Sequence, residues 1–183
     1  MESKKDIRKR VLQKRENLTN REWEEKSRLI YDKVVSHPFF LQADTIYCYI
    51  DYRNEVATRA IIDFAWKSGK KVAVPKVLEN VMHFYLIDSF DELEYGYKGI
   101  EEPKTSKLAT DEDALVIMPG AVFDCACHRI GYGKGYYDKY LHLHSNHKTL
   151  GIAFEFQVFK NIPSEEFDIC PDIIITEENI YER

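Results

Sequence analysis

The sequence predicts an α/β fold in which helices flank both faces of a mostly parallel sheet. Short apolar runs of strand length recur along the 183 residues and alternate with segments of helical periodicity. This alternation implies right-handed crossovers between parallel strands. The runs are almost continuously apolar, as expected for a sheet that is buried on both faces. We therefore predict a three-layer, Rossmann-like arrangement, with residues 1–183 as a single domain because this length is near the commonest domain size.

The first predicted helix, residues 3–18, carries a narrow apolar stripe. The members of the stripe share one face at about 100° per residue: Ile7, Val11 and Leu18. Three cations lie beside it: Lys4, Arg8 and Arg15. They indicate either a solvated face whose aliphatic stems cover apolar surface, or side chains that border the core and point into an anion site. Composition alone leaves both readings open.

Three further helices are predicted from their end signals. Thr19 and Glu22 form a capping-box pattern that begins the second helix, which ends before Pro38. Gly69 is well placed to end the third. The fourth begins near Gly135.

Six apolar runs have the length of strands: residues 44–50, 72–74, 81–87, 114–118, 149–153 and 173–176. Pro75 is expected to stop the second run, because proline donates no hydrogen bond to a strand ladder. The acidic stretch 88–113 is expected to be mainly loops. In a parallel sheet, ligands bind beyond the carboxyl ends of the strands.

Composition limits the partners. A net charge of −5 argues against non-specific nucleic-acid binding by the whole surface. No run approaches the ~20 apolar residues of a membrane span, and the first residues are too charged for a secretory signal. The four cysteines are too few to suggest a disulfide framework. We expect a cytoplasmic protein that acts on small molecules, as a monomer or a weak homo-oligomer, without nucleic-acid or membrane partners.

The densest chemical signal is the run 129–138, between the fourth predicted strand and the last helix. It reads Arg129, Ile130, Gly131, Tyr132, Gly133, Lys134, Gly135, Tyr136, Tyr137 and Asp138. Alternate glycines allow a ligand to approach the backbone amides. Two cations and a helix start favour an anion, most plausibly a phosphate. The spacing fits neither a Walker A loop nor Gly-x-Gly-x-x-Gly, and a glycine-rich surface loop with solvated cations is the alternative.

Two carboxylates are candidates for Mg²⁺. Asp138 lies one turn into the helix, where it could hold the ion against bound phosphates. Asp172 precedes an apolar strand and is either a second contact or a residue of the solvated rim. Zinc is not expected at the cysteines and histidines of this region, because their spacing differs from that of common structural zinc sites: Cys125, Cys127, His128, His142 and His144.

An ordered set of motifs resembles the 5-formyltetrahydrofolate cyclo-ligase family, also called methenyltetrahydrofolate synthetases, over essentially the whole chain. The strongest match is Met118-Pro119-Gly120 with Phe123-Asp124, followed by the run 129–138. The other matching segments occur in the expected order: Lys4 with Arg8, Asn54-Glu55 with Thr58, Glu102-Pro103, and Asp172 before residues 173–177.

The resemblance implies an enzyme that uses ATP and Mg²⁺ to convert 5-formyltetrahydrofolate to 5,10-methenyltetrahydrofolate. It assigns catalysis to Arg129 and Lys134 and the metal to Asp138 and Asp172. The implied nucleotide contacts are Lys4, Lys5, Arg8 and residues 129–137. The implied folate contacts are Ile50, Glu55, Tyr132, Gly133, Lys134, Gly135 and Tyr136.

The chain departs from the family pattern at three places. Phe167-Asp168 stands where many relatives have His-Asp, so no role falls to a histidine there. Cys125 and Cys127 replace small or polar loop residues. The family's tryptophan near Gly99 is absent, so the wall of the adenine or folate site differs.

Two other functions remain open at this stage. A sugar-phosphate isomerase or an acyl-CoA transferase could share an α/β fold of this kind, and fold alone does not decide function. A non-catalytic module could use the basic first helix to contact nucleic acid or an acidic protein.

Overall fold

The computed structural model describes residues 2–183, apart from the side chain of Tyr97. Five α-helices lie within this part of the chain: α1 (Lys4–Glu16), α2 (Asn20–Ser36), α3 (Pro38–Gln42), α4 (Arg59–Lys67) and α5 (Tyr136–Leu143). Its strands are β1 (Thr45–Cys48), β2 (Lys71–Leu78), β3 (Val81–Ile87), β4 (Leu93–Tyr95), β5 (Glu101–Pro103), β6 (Leu115–Met118), β7 (Val122–Asp124), β8 (Arg129–Ile130), β9 (Lys148–Ile152), β10 (Val158–Phe159), β11 (Ile173–Ile175) and β12 (Ile180–Glu182).

Seven of these strands form the central sheet, in the order β12-β11-β9-β6-β1-β2-β3. The five inner strands are parallel, and each edge strand pairs antiparallel with its neighbour. The predicted mostly parallel sheet is confirmed. β12 was not predicted.

The two faces of the sheet bury separate clusters. On one face, alternate strand residues such as Ile46 and Ile117 pack with Ile30 of α2 and Ile61 of α4. On the other face, residues such as Tyr47 and Val116 pack with Tyr140 of α5. This alternation follows from the two-residue period of strands, and it confirms the predicted three layers.

A small sheet, in the order β10-β7-β8, supports the first helix. Ile7 and Val11 of α1 are buried against Val122 and Ile130 of this sheet. The predicted apolar stripe therefore docks α1 beside the segment that follows β8. None of the described helices combines the length and apolarity needed to cross a bilayer.

The predicted end signals of two helices are confirmed. Thr19 and Glu22 exchange hydrogen bonds as a capping box, with N···O distances of 2.9 and 3.2 Å. Gly69 follows α4 with a φ of +77°. Pro75 does not stop its strand: β2 pairs with β1 only through Ala73, so beyond that point it has one partner and tolerates proline as an edge strand does.

Candidate active site

The glycine loop, residues 131–135, joins β8 to α5 near the carboxyl end of β6. Gly133 and Gly135 have φ values of +97° and +65°, in the left-handed region that favours glycine. An added Cβ at Gly133 would also lie 3.3 Å from Nη1 of Arg8. The glycines therefore let this loop lie close to the cation supplied by α1.

Two arginines beside the loop have unsatisfied hydrogen-bond donors. The Nε atoms of Arg8 and Arg129 are buried, and neither finds an acceptor among the described residues. Buried donors are nearly always paired in proteins, so these two indicate a place for an acceptor such as a phosphate oxygen. The alternative of two fully solvated cations is not what the structure shows for Arg129, whose side chain is only 4% exposed.

Arg129 is oriented by its other nitrogens. Nη1 donates to the carbonyl of Pro119 at 3.2 Å, and Nη2 donates to Oδ1 of Asp138 at 3.0 Å. Pro119 directly follows β6, and Asp138 lies in the first turn of α5. The guanidinium thus ties the end of a central strand to the helix that follows the glycine loop.

The lysines of the predicted site differ in their surroundings. Nζ of Lys4 contacts Asp168 at 2.7 Å and Glu165 at 3.2 Å. Lys134 and Lys5 are exposed. The structure therefore brings Lys4 to an acidic segment beside the loop, whereas Lys134 and Lys5 remain available to a ligand from solvent.

The chain at Asp168, a second acidic residue, passes beside Asp138. The amide of Ile169 donates to Oδ1 of Asp138 at 3.0 Å, which places Asp168 one residue from this contact. Burial opposes ionisation of Asp168, but the hydrogen bonds from Lys4 and from the amide of Glu165, with the charges of Lys4 and Arg129, together outweigh it and lower the pKa. Two partly exposed carboxylates match the oxygen ligands that Mg²⁺ prefers. Sequence reasoning missed Asp168, although the comparison of Phe167-Asp168 with the His-Asp pair had drawn attention to it.

The structure does not bring Asp172 to Asp138. Oδ2 of Asp172 accepts hydrogen bonds from the amide and the hydroxyl of Thr149, at 2.8 and 3.0 Å. Both residues lie at the amino-terminal ends of their strands, β11 and β9, whereas the loop lies near the carboxyl end of β6. The expected pairing of the two carboxylates is therefore corrected: Asp172 precedes β11, and because β11, β9 and β6 are parallel it lies at the opposite end of the strands from the loop.

Glu55 is buried at the end of the loop that follows β1. Tyr132 donates from its hydroxyl to Oε1 of Glu55 at 2.5 Å, and Arg15 donates to the same hydroxyl at 2.6 Å. The amide of Tyr52 donates to Oε2 at 2.9 Å. Burial raises the pKa of Glu55, and the charge of Arg15 offsets this only in part. Sequence reasoning placed Arg15 beside the apolar stripe but assigned it no partner.

The remaining predicted ligand contacts are half-buried or buried. Tyr136 and Tyr137 pack at the start of α5, and the hydroxyl of Tyr137 is buried with no partner among the described residues. Ile50 is buried near the end of β1. The side chain of Ile130 belongs to the contact with α1, so only its backbone can face a ligand.

The cysteine-containing turn after β7 is organised by Asp124. This buried carboxylate accepts from the amides of Ala126 and His128 at 3.0 Å, and it lies 2.9 Å from Nδ1 of His128. Cys127 is buried and Cys125 is exposed. Among the described residues, these side chains do not form a cluster with metal-binding spacing.

Comparison with known proteins identifies the family. A model of the "5-formyltetrahydrofolate cyclo-ligase family" matches residues 1–177. A probable 5-formyltetrahydrofolate cyclo-ligase of Schizosaccharomyces pombe is 32% identical over 170 residues, which cover 82% of this chain and 83% of the relative. The chain therefore belongs to the 5-formyltetrahydrofolate cyclo-ligase family.

Two solved structures share the fold. The NMR structure of Aquifex aeolicus 5,10-methenyltetrahydrofolate synthetase is 32% identical, with a TM-score of 0.87 over 98% of this chain and 92% of that one. A 5,10-methenyltetrahydrofolate synthetase from Mycoplasma pneumoniae is 25% identical, with a TM-score of 0.79 over 96% and 99%. The predicted fold class is confirmed.

Proposed function

We propose that this protein catalyses the ATP- and Mg²⁺-dependent cyclisation of 5-formyltetrahydrofolate to 5,10-methenyltetrahydrofolate, with release of ADP and phosphate. The observation that carries the proposal is the glycine loop with two buried, unpartnered arginine nitrogens, adjacent to two carboxylates. Family membership supports the substrate and the product.

ATP answers a chemical difficulty in the ring closure. The formyl oxygen is a poor leaving group because it belongs to an amide. Its attack on the γ-phosphate breaks the bond to ADP and forms an N5-iminium phosphate. N10 then adds to the activated carbon and loses its proton, which the departing phosphate can take up, and the oxygen leaves with phosphate as the methenyl bridge forms. Such chemistry requires alignment and charge stabilisation more than a protein nucleophile.

The cations of the site suit these steps. Arg8 and Lys4 on α1 and the backbone of residues 130–137 would hold the phosphates, with exposed Lys5 at the entrance. Arg129 is buried and rigidly oriented, so it can stabilise the transferred phosphoryl group without reorganising. Lys134, at the exposed loop, would supply the second catalytic charge once ATP is bound.

The two carboxylates give a reason for the metal. The carboxylates of Asp138 and Asp168 would be unfavourable neighbours for the phosphates of ATP without a cation. We assign Mg²⁺ to these two residues instead of to Asp138 with Asp172. The ion supplies positive charge that neutralises the phosphate oxygens.

The folate would occupy the other side of the loop, near Ile50, Tyr136 and Glu55. A carboxylate can accept paired hydrogen bonds from the donor edge of a pterin. Since Oε1 of Glu55 accepts from Tyr132 in this structure, substrate binding requires that this hydroxyl move or share the carboxylate. Gly133 and Gly135 permit the loop to make that movement.

The proposal is tested by following the absorbance of the methenyl product with tag-free protein. We expect product only when 5-formyltetrahydrofolate, ATP and Mg²⁺ are all present, with one ADP formed for each product molecule. Formation of product without ATP, or no product from folded protein, would contradict the proposal. The first outcome would also favour an isomerase- or transferase-type reaction, which needs no ATP.

A further inference from the structure

A second cluster of metal-binding side chains lies at the amino-terminal ends of the parallel strands, which form the amino edge of the central sheet, opposite the carboxyl edge that carries the glycine loop. Glu112 precedes β6, His144 ends α5, and His147 precedes β9, so all three surround the amino-terminal ends of strands. One ligand atom from each residue lies within 4.8 Å of the others. Within residues 2–183, this is the one group of three or more such side chains that comes this close.

His147 is prepared to act as a ligand. It is 6% exposed, and its Nδ1 lies 2.9 Å from the carbonyl oxygen of Ala114. A carbonyl only accepts, so Nδ1 carries the proton and Nε2 presents a lone pair. Metal-binding histidines usually have this arrangement, in which a backbone carbonyl fixes the tautomer.

Tyr140 holds the two imidazoles on one side of the helix end. Its ring stacks on His144 with a centroid distance of 4.4 Å and on His147 with a distance of 5.8 Å. Its hydroxyl is 3.3 Å from Nε2 of His147, which is a long contact for an oxygen donor. The lone pair on Nε2 is therefore only weakly engaged.

His144 and Glu112 complete the cluster from the solvent side. Nδ1 of His144 lies 2.9 Å from Oε1 of Glu112. Their side chains are 35% and 53% exposed, so they can rotate and a water molecule can reach them. His147 is the fixed member, and the other two are adjustable.

We propose that Glu112, His144 and His147 bind a divalent transition metal, with Zn²⁺ as the expected ion. Two imidazole nitrogens and one carboxylate oxygen suit zinc, which takes water as its fourth ligand at such sites. Bonds of about 2.0–2.2 Å in a tetrahedron separate the ligand atoms by about 3.3 Å. No pair of these atoms therefore needs to close by more than about 1.5 Å, which rotation of the two exposed side chains allows. Mg²⁺ and Ca²⁺ prefer oxygen ligands and are not expected.

The position gives the metal a structural role. It would link the carboxyl end of α5 to the segments that enter β6 and β9, away from the glycine loop at the other end of α5. A metal that binds the folded chain and not the unfolded chain raises the free energy of unfolding, and above Kd this gain grows with the logarithm of the ratio of metal concentration to Kd.

The experiment uses full-length, tag-free protein that has been treated with a chelator and dialysed. Co²⁺ is titrated with visible absorption as the readout, and Zn²⁺ by calorimetry. We expect one equivalent of each metal, and at least about 10-fold weaker binding in Glu112→Gln and His144→Ala. His142→Ala is the matched control on the same helix, since Nε2 of His142 contacts the carbonyl of Phe167 and not the cluster; it should bind as the wild type does.

Circular dichroism is the control that checks whether each variant is folded. Folding is expected because the two altered ligands are partly exposed. Absence of a stoichiometric site in the wild type would overturn the proposal. Unchanged affinity in both ligand variants would overturn it equally. A further variant, Cys125→Ser, checks the cysteine turn: if it alone weakens binding, the metal lies elsewhere and the proposal is overturned.

Discussion

The two edges of the central sheet carry polar clusters that are assembled in different ways. At the carboxyl edge, most of the site is one run of sequence, and α1 adds two cations from far along the chain. At the amino edge, Glu112 comes from the segment before β6, whereas His144 and His147 both lie in the short connection between α5 and β9. The first cluster can be predicted from the alternate glycines in the sequence. The second becomes visible only when the strand order is known.

The largest expected effect is a loss of kcat/KM that distinguishes the carboxylates at the carboxyl edge from Asp172 at the amino edge. Asp138→Asn and Asp168→Asn should each lower kcat/KM by about 10²–10³-fold and raise the Mg²⁺ concentration for half activity, because each loses charge where phosphoryl transfer is stabilised. Asp172→Asn, at the other edge, should keep nearly full activity. Steady-state kinetics across a Mg²⁺ series provides the measurement, and large losses in Asp138→Asn and Asp172→Asn with nearly full activity in Asp168→Asn would restore the assignment made from sequence.

A smaller effect is expected from the cation on α1. Arg8→Ala should raise the KM for ATP by about 10–100-fold, which corresponds to the loss of one or two charge-assisted hydrogen bonds. Arg10 is the matched control on the same helix: its side chain is 59% exposed and pairs with Glu2. Equal KM values for ATP in Arg8→Ala and Arg10→Ala would remove α1 from the nucleotide site.

Glu55 gives a prediction about pH. A carboxyl whose pKa is raised by folding binds protons more tightly when folded, so wild-type stability is lost as pH rises from about 4.3 through the raised pKa. Glu55→Gln has no such titration. Its stability relative to the wild type should therefore increase between about pH 4 and pH 8, while the KM for folate rises about 10-fold.

Urea unfolding of both proteins across that range measures the difference. A wild type that gains stability over Glu55→Gln as pH rises would show that the charge of Arg15 outweighs burial.

The smallest effect concerns the amino edge alone. Asp172→Asn loses a charged acceptor for the two donors of Thr149 and should lower the free energy of unfolding by about 1 kcal/mol. Chemical denaturation measures the change. A loss of several kcal/mol would indicate that Asp172 has a larger part in joining β9 to β11.

Much of the fold was predictable because its signals are local. The apolar stripe of α1, the capping box at Thr19 and the strand-length runs each depend on neighbours in sequence. The small sheet and β12 were not predicted, because strands of two or three residues carry little sequence pattern. Pro75 misled because the effect of proline depends on whether a strand has one partner or two, which is a property of the sheet.

The candidate site was predictable in part for the same reason. Residues 129–138 combine glycine, charge and a helix start within ten positions. The partners of Asp138 and Glu55 could not be predicted in this way, because Asp168 and Arg15 belong to distant segments whose placement depends on packing. Asp172 precedes a strand, and its separation from the glycine loop follows only when that strand is known to run parallel with β9 and β6.

The central claim is that ATP activates the formyl oxygen at the carboxyl edge, and an isotope label tests it most directly. 5-Formyltetrahydrofolate labelled with ¹⁸O in the formyl group is converted with unlabelled ATP and Mg²⁺, and the phosphate is analysed by mass spectrometry. We predict one ¹⁸O atom in each phosphate released. Phosphate without the label, with ¹⁸O recovered in water, would contradict the account.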